Sequence, residues 1–153
     1  MNALELKVPP PAIALLTAIG MWAISGSMPI LELPRNVSLL AAGTLALAGL
    51  AIALAGVISF RRARTTVNPT KPQETSALVS SGIYKATRNP MYAGLLLVLV
   101  AWSVFLSSAW SLIGAVAFVL YISRFQIVPE ERVLSAKFGE AYASYKSKVR
   151  RWL

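Results

Sequence analysis

A run of 35 consecutive residues without a charged side chain, 89–123, most constrains how this chain can fold. As one straight helix at about 1.5 Å per residue it would be roughly 50 Å long, whereas the hydrocarbon core of a bilayer is roughly 30 Å thick. The run therefore predicts two shorter helices in a tight hairpin that turns at Ser107 and Ser108. Such a hairpin returns to its starting face, so we expect Arg88 and Glu130 to line one site.

Two further uncharged stretches, 8–31 and 36–60, are each long enough to span a bilayer. Hydrophobic residues make up 56% of the chain and charged residues 14%, which is typical of an integral membrane protein. Residues 1–11 lack the features of a cleavable signal, so we expect the first stretch to be a retained span. The predicted fold class is all-α, a polytopic membrane protein with four transmembrane helices in one domain, 1–153, whose first 60 residues form two spans.

Basic residues concentrate on one side of this predicted topology. Thirteen of the 15 lie in 61–88 or 124–151, the two segments that flank the hairpin. This distribution is typical of cytoplasmic loops and adds attraction to anionic membrane lipids. We therefore interpret the net charge of +9 as a signal of orientation and lipid contact, and expect no nucleic-acid partner. Both termini and the 61–88 loop are predicted to be cytoplasmic, in a multi-pass protein of the inner membrane if the source is bacterial.

Small residues recur along one face of the second predicted span. Such a seam lets another helix approach closely, either from the same chain or across a homodimer through the second span, and both alternatives are open. The seam consists of Ala42, Ala46, Gly49, Ala53 and Gly56.

After the hairpin, Pro129 and the two glutamates behind it predict the start of a new helix. Apolar residues then recur at three- and four-residue spacing, which predicts a C-terminal amphipathic cytoplasmic helix able to lie on the membrane, weakened in the middle by Gly139. The apolar positions are Leu134, Phe138, Tyr142, Tyr145, Val149 and Trp152.

The chain contains neither cysteine nor histidine, and its six acidic residues are all glutamate. A zinc site and a Ser-His-Asp triad are therefore excluded, and we expect no metal. Asn89 and Pro90 suit a helix N-cap and first turn, but a helix N-terminus beside Arg88 also suits an anion. Arg124, at the edge of an apolar helix, carries a charge whose cost falls if the side chain reaches the interface or pairs with an anion, either a substrate group or one of Glu130 and Glu131.

Five short motifs occur in an order that resembles the isoprenylcysteine carboxyl methyltransferase and phospholipid N-methyltransferase superfamily. They are 78–84 (LVSSGIY), 88–94 (RNPMYAG), 130–134 (EERVL), 138–142 (FGEAY) and 149–152 (VRRW). The resemblance covers 60–153 and makes 61–153 the cofactor-binding catalytic part. It implies a membrane enzyme that uses S-adenosylmethionine on its cytoplasmic face and takes lipophilic or prenylated substrates from the bilayer.

The resemblance also implies roles for individual residues. Around the adenosine it places Leu78, Val79 and Tyr84, and at the methionine end Arg88, Asn89 and Pro90. Glu130 or Glu131 completes the cofactor site, and Gly82 and Tyr92 belong to it through the same motifs. Arg124 corresponds to a substrate-binding arginine, and we assign catalytic roles to Arg124 and Glu131. The prenylcysteine branch has His-Pro where this chain has Asn89-Pro90, and a histidine near Ser76, so carboxylate specificity is open.

The methyl acceptor stays undetermined at this point. A carboxylate acceptor benefits from a positioning cation such as Arg124, whereas an amine must lose a proton, for which a glutamate can act as base. Two alternatives to a methyltransferase are an NADPH-dependent enzyme of the sterol-reductase type and a non-catalytic membrane protein. An NADPH-dependent reductase should need further basic residues for the phosphates and usually has a longer chain, so the length of this sequence favours methyl transfer.

Overall fold

The computed structural model describes residues 4–26 and 34–152, and the regular secondary structure in this part consists of helices, with no strand. The apolar runs form α-helices, joined by short 3₁₀ and π segments. The helices are α1 (Pro10–Ser25), α2 (Arg35–Arg62), α3 (Pro90–Phe105), α4 (Leu112–Ile122) and α5 (Val128–Lys148). The all-α prediction is confirmed for the described residues.

Two helical stretches are long and apolar enough to cross a membrane by length and composition, Arg35–Arg62 and Ala109–Lys148. Helices α1 and α3 are apolar but shorter, at 16 residues each. Large apolar side chains point outward, among them Leu40, which is 75% exposed. An exposed apolar surface of this kind is consistent with a lipid environment. The predicted end of the first span and the first half of the link at 32–35 lie outside the described residues.

Helices α3 and α4 form the predicted hairpin. The backbone turns at Ser107, whose φ is 50°, and a 3₁₀ helix, Ala109–Ser111, leads into α4. Ser103 Oγ and Ser111 Oγ donate hydrogen bonds to the carbonyl of Ser108 at 2.9 and 2.6 Å. Together with the backbone N–H of Ser111, which donates to the same oxygen at 3.3 Å, the two hydroxyls satisfy the Ser108 carbonyl in the turn. The predicted position of the turn is confirmed.

Helix α2 packs along α3 at short range through glycine. A Cβ at Gly94 would lie 2.5 Å from the carbonyl oxygen of Gly49 and 2.8 Å from Cβ of Ala53. Helices approach this closely only where small residues leave the backbone accessible. This part of the predicted seam therefore contacts α3 of the same chain. A homodimer through the second span stays a prediction, and it would have to use other residues of α2.

The sequence predicted that a new helix starts at Pro129, and this prediction is wrong. Helix α4 instead continues into α5 through a π-helical turn, Ser123–Ile127, and Ile127 has helical dihedral angles. Proline has no N–H to donate to the carbonyl four residues earlier, that of Phe125, and the wider π turn makes room for its ring. The Phe125 carbonyl accepts a hydrogen bond from the backbone N–H of Leu6 at 3.1 Å instead. The proline thus creates a docking point for the N-terminal segment.

Helix α5 is interrupted at Gly139, where φ is 48° and ψ is −123°, as its glycine predicted. Its apolar side packs against the segment that precedes α3. In this buried cluster α5 supplies Leu134, Phe138, Tyr142 and Tyr145, and the preceding segment supplies Leu78, Val79, Ile83 and Tyr84. The packing covers much of the predicted amphipathic face, and contact of α5 with a membrane surface stays a prediction.

Candidate functional site

A cavity lies where the start of α3, the start of α5 and the segment between α2 and α3 meet. Its walls combine aromatic rings and aliphatic side chains with a few charged groups. The helices and the two residues just before α3 contribute Phe60, Tyr84, Arg88, Asn89, Met91, Tyr92, Glu130, Glu131, Leu134, Tyr142 and Tyr145. The loop contributes Thr66, Val67, Asn68, Pro69, Pro72, Thr75, Ala77, Leu78 and Val79.

Tyr84 is held in the cavity wall by a glycine turn and aromatic neighbours. Gly82 has a φ of 62°, which a side chain would disfavour, and a Cβ there would lie 3.1 Å from Ser59 Oγ. The Tyr84 ring meets Phe60 edge-on at 5.4 Å, and the Tyr84 carbonyl accepts a hydrogen bond from Tyr145 Oη at 2.7 Å. Burial raises the pKa of both tyrosines. Gly82 therefore shapes the turn, while Tyr84 forms the wall.

Glu131 lies between two arginines. Arg151 donates to both of its carboxylate oxygens, from Nη2 at 2.6 Å and from Nε at 3.1 Å. Nη1 of Arg88 lies 3.2 Å from Glu131 Oε1, and the side chains of Arg88 and Glu131 are only 11% and 10% exposed. The hydrogen bonds to Glu131 raise the pKa of Arg151. One carboxylate thus balances two cations, and one positive charge of the three groups is left over.

The guanidinium of Arg88 has unused hydrogen-bonding capacity. Its Nε and Nη1 are buried and donate no hydrogen bond to any described residue. Nη1 is close enough to Glu131 for charge attraction, but its N–H does not point at the oxygen. A buried charged donor without an acceptor is costly, on the order of 1–3 kcal/mol or more. An anion in the cavity would remove this cost.

Asn89 occupies the N-cap position of α3, as predicted, but its side chain does not cap the helix. Its Nδ2 donates to the carbonyl of Arg151 at 2.9 Å, and Thr87 Oγ1 donates to the same carbonyl at 3.2 Å. The backbone N–H of Arg88 donates to the carbonyl of Arg150 at 2.9 Å. These three bonds fasten the C-terminal segment to the start of α3. They explain how Arg151, remote in sequence, reaches Glu131.

Glu130, the residue before Glu131, belongs to a second polar group at the start of α5. Its Oε1 accepts hydrogen bonds from Tyr92 Oη at 2.6 Å and from Gln126 Nε2 at 2.5 Å. Burial, which favours the neutral form, raises the pKa of Glu130 to about 7, although both hydrogen bonds favour the carboxylate. Gln126 Nε2 also donates to the carbonyl of Pro69 at 2.6 Å, which joins this group to the loop.

Arg124 lies away from the cavity lining, at the docking point of the N-terminal segment. Its Nη1 is 3.6 Å from Oε1 of Glu5, and Nη1 of Arg132 is 3.4 Å from Oε2 of the same carboxylate. The Glu5 side chain is 3% exposed, whereas those of Arg124 and Arg132 are 53% and 58% exposed. Arg124 therefore has an anionic partner that the sequence did not suggest.

Comparison with known proteins agrees with this arrangement of motifs. The sequence profile of the phospholipid methyltransferase family matches residues 37–141, more than half of the chain. The chain belongs to this family. The match runs from α2 into α5 and ends before Tyr142 and Arg151, which complete the cavity and its ion pair.

Individual relatives confirm the superfamily resemblance of this family member. Protein-S-isoprenylcysteine O-methyltransferase B of Arabidopsis thaliana is 32% identical over 96 residues, 61% of this chain and 47% of the plant protein. Its counterpart A is 34% identical over 98 residues, 62% of this chain and 48% of the plant protein. An uncharacterized protein of Haemophilus influenzae is 49% identical over 63 residues, 41% of this chain and 100% of that protein. This chain spans about half the length of the two plant proteins, and no solved structure matches it.

In this phospholipid methyltransferase family member, the predicted cofactor residues converge with few exceptions. Pro90 begins α3 and is buried, Gly82 forms the turn before Tyr84, and Arg124 contacts Glu5 instead. The roles assigned to these residues stay predictions. Those that line the cavity are Leu78, Val79, Tyr84, Arg88, Asn89, Tyr92, Glu130 and Glu131.

The sequence reasoning missed Gln126 and the pairing of Arg151 with Glu131. Gln126 stands four residues before Glu130, a spacing that puts two side chains on one helical face, and this signal was available. The contact of Arg151 with Glu131 spans 20 residues and depends on how the C-terminal segment folds back on α3. No local pattern indicates such a contact.

Proposed function

We propose that this chain is an S-adenosylmethionine-dependent methyltransferase that acts on an amphipathic or lipid-like acceptor at the cytoplasmic face of a membrane. The observation that carries the proposal is the buried Arg88 guanidinium, whose Nε and Nη1 donate no hydrogen bond to a described residue, in a cavity with largely aromatic and aliphatic walls. Membership of the phospholipid methyltransferase family supports methyl transfer as the reaction. The names of the two plant relatives support an acceptor with a lipophilic part.

The chemistry of the lining residues fits this cofactor. Arg88, beside the N-terminal end of α3 at Asn89 and Pro90, would hold the methionine carboxylate, because a guanidinium and free helix N–H groups both favour an anion. Leu78, Val79 and Tyr84 offer an apolar and aromatic wall for the adenosine. The unused donors of Arg88 are the feature of this chain that an anionic cofactor group would satisfy.

The two glutamates differ in whether a carboxylate oxygen still lacks a donor among the described residues. Both oxygens of Glu131 already accept hydrogen bonds from Arg151, and Arg88 lies against one of them. Glu130 uses Oε1 for Tyr92 and Gln126, while its Oε2 accepts no hydrogen bond from the described residues. We therefore assign Glu131 to positioning Arg88, and Glu130 to contact with the cofactor ammonium or ribose.

When bound, S-adenosylmethionine supplies an electrophilic methyl group on a sulfonium. The protein's part is to orient the two reactants and to exclude water, an effect that can lower the barrier by roughly 7–11 kcal/mol. Tyr84, Tyr92 and Tyr142 supply the walls that exclude water here. For an amine acceptor, Glu130 can take up the proton that the nitrogen must lose, because its pKa is raised to about 7.

A role for Arg124 in holding an anionic acceptor requires a change at its present contact. Glu5 occupies the space between Arg124 and Arg132, so an acceptor carboxylate would have to share or replace that ion pair. Arg124 is half exposed, which leaves it accessible from the surface of the protein. The experiment therefore compares a carboxylate acceptor with an amine acceptor. We expect Arg124 to contribute to binding of the carboxylate only.

For the membrane arrangement we propose one domain with four spans, α1 to α4, and with the loop before α3 and the C-terminal helix on the cytoplasmic side. The concentration of basic residues in 61–88 and 124–151 supports this orientation. The cavity then lies at the cytoplasmic end of the hairpin. Reporter fusions after Arg64 and after Arg151 should both report a cytoplasmic position, and an external signal from either would exclude the four-span arrangement.

Titration calorimetry of the detergent-purified protein tests the function most directly. S-adenosylhomocysteine should bind, whereas NADPH at the same concentrations should not. Turnover of a carboxylate, an amine and a thiol, each on the same apolar tail, then identifies the acceptor class. Binding of NADPH alone would support the reductase alternative, and binding of neither compound would support a non-catalytic protein.

A further inference from the structure

The loop over the cavity, 65–79, is fastened to the continuous helix formed by α4, the π turn and α5. Among the described residues, two side-chain hydrogen bonds make this connection. Gln126 Nε2 donates to the carbonyl of Pro69 at 2.6 Å, and Lys137 Nζ donates to the carbonyl of Gln73 at 2.9 Å. The two contacts differ in their surroundings. Gln126 is 2% exposed, whereas the contact of Lys137 lies on the exposed side of the loop.

The Gln126 side chain contacts Glu130 as well as the loop. The nitrogen that holds Pro69 also donates to Oε1 of Glu130 at 2.5 Å, and Tyr92 Oη donates to the same oxygen at 2.6 Å. A neutral amide suits this position, because one NH₂ group has two hydrogens for two acceptors and carries no charge. The loop carbonyl and the Glu130 carboxylate are therefore bridged by a single side-chain nitrogen.

We propose that Gln126 is a positioning residue that couples closure of the 65–79 loop over the cavity to the orientation of the Glu130 carboxylate. This inference rests on the proposed function, since it gives Glu130 a bound cofactor to meet. When the loop lifts away, the Pro69 carbonyl loses its donor and the amide can rotate. Without its second acceptor the amide no longer fixes the Glu130 carboxylate in one orientation, and Tyr92 is its other donor. When the loop closes, both acceptors share one nitrogen and the carboxylate is fixed beside the cavity.

The location of the loop makes this coupling relevant to binding. Thr66, Val67, Asn68 and Pro69 all line the cavity, so a ligand there contacts the segment that Gln126 holds. Gln126 itself belongs to the π turn, where the helix is already distorted by the proline at 129. It thus acts on the ligand through Pro69 and Glu130, without lining the cavity.

The test compares Gln126→Leu with Lys137→Met, since each variant removes one of the two bonds that fasten the loop. In hydrogen exchange without any ligand, Gln126→Leu should speed exchange in 65–79 at least tenfold. In calorimetry it should weaken binding of S-adenosylhomocysteine at least tenfold, as expected when buried acceptors lose a donor. Lys137→Met should change the affinity less than twofold.

The pH profile of binding separates this coupling from a merely structural role. Glu130 faces Tyr92 from α3, Tyr84 from the loop side, and Tyr142 and Glu131 from its own helix. Its pKa of about 7 is held down by the bonds from Tyr92 and Gln126. Removing the Gln126 donor should therefore move the midpoint of the affinity profile to higher pH, and Lys137→Met should leave it in place.

Equal effects of the two variants on affinity would overturn the inference, as would an unmoved pH midpoint in Gln126→Leu. If Gln126→Leu does not fold, Gln126→Met serves, because its uncharged side chain keeps the length of glutamine but has no donor for Pro69 or Glu130. If the wild type fails to bind S-adenosylhomocysteine, the proposed function fails, and exchange in 65–79 alone then decides the inference. Unchanged exchange in the Gln126 variant would contradict it.

Discussion

The helix bundle and the cavity of this protein depend on opposite kinds of contact. In the bundle, α2 and α3 meet where side chains are absent, with Gly94 against the backbone of Gly49 and against Ala53. Around the cavity, long polar side chains bind groups that are distant in sequence, as Arg151 binds the Glu131 carboxylate and Gln126 binds the Pro69 carbonyl. Adding an atom should therefore harm the bundle, whereas removing a group should harm the cavity.

The difference follows from what each region has to exclude. Apolar surfaces gain nothing from one another in lipid beyond close packing, so the bundle depends on shape. In the cavity a charged group without its partner keeps the full cost of burial, so the site depends on pairing. At the margin of the bundle, Glu5 also depends on charge pairing, because its buried carboxylate is balanced by Arg124 and Arg132.

The largest effect is expected from Arg88→Ala. Glu131 keeps both bonds from Arg151, so the variant should fold, but the cavity loses the guanidinium whose Nε and Nη1 donate no hydrogen bond to a described residue. The loss of one partner of a buried charged contact costs roughly 2–5 kcal/mol. Affinity for S-adenosylhomocysteine should therefore fall at least 30-fold in calorimetry.

Lys85→Ala is the control for Arg88→Ala, because it removes a nearby exposed cation. Its affinity should match the wild type within twofold. Equal losses in the two variants would indicate a general effect of positive charge, and no loss in Arg88→Ala would leave that residue as a partner of Glu131 alone.

The bundle is tested by an addition, Gly94→Ala. The new Cβ would meet the Gly49 carbonyl at 2.5 Å, and backbone cannot move aside as a flexible side chain can. Overpacking of this kind costs about 1–3 kcal/mol, so the midpoint of thermal unfolding in detergent should fall by several degrees. Gly43→Ala adds the same atom to α2 where no atom lies within 4 Å, and it should not lower the midpoint. A Gly94→Ala variant with an unchanged midpoint would mean that stability does not depend on the close approach of α2 and α3 at Gly94.

The pH dependence of stability should reflect the protonation of Glu130. Its pKa is about 7 in the folded protein and 4.5 in its ordinary state, so the folded form keeps a proton that the unfolded chain has lost. The contribution of Glu130 to stability is therefore full below about pH 4.5 and is lost as the pH rises through about 7. Cofactor affinity should change in the opposite sense, because an ionised Glu130 attracts the ammonium group.

Glu130→Gln should flatten both profiles between pH 5 and pH 8, roughly the window set by these two pKa values. Thermal unfolding and calorimetry at four or five pH values measure them. Glu74→Gln, which alters an exposed carboxylate paired with Lys71 on the loop, should leave both slopes unchanged. Retention of the slopes in Glu130→Gln would assign them to another group.

The sequence predicted the bundle well because its determinants are local. The uncharged run fixed the hairpin and its turn at Ser107, and the small residues of α2 indicated the close approach that Gly49 makes. For the site, the motifs named most of the lining residues. They did not reveal that Pro129 continues a helix, since the compensating bond comes from Leu6, more than 100 residues away. Pairings of this length depend on the tertiary fold and leave no local periodicity.

The smallest effect on the cofactor is expected from Arg124→Ala. An ion pair between an exposed arginine and Glu5 contributes roughly 0–1 kcal/mol, and Arg132 still balances that carboxylate. Affinity for S-adenosylhomocysteine should therefore change less than twofold. If Arg124 positions an anionic acceptor, KM for the carboxylate acceptor should rise in this variant, and KM for the amine acceptor should not.

Arg132→Ala is the matched control, because it removes the other arginine from the same carboxylate and no substrate role is proposed for it. Arg124→Lys should restore KM for the carboxylate only in part, since an ammonium keeps the charge but loses the planar fork. Equal effects of Arg124→Ala and Arg132→Ala on KM would reduce Arg124 to a partner of Glu5. A loss of cofactor affinity in Arg124→Ala would instead mean that docking of the N-terminal segment on the π turn governs Gln126 and Glu130, and that the bundle and the cavity are not independent.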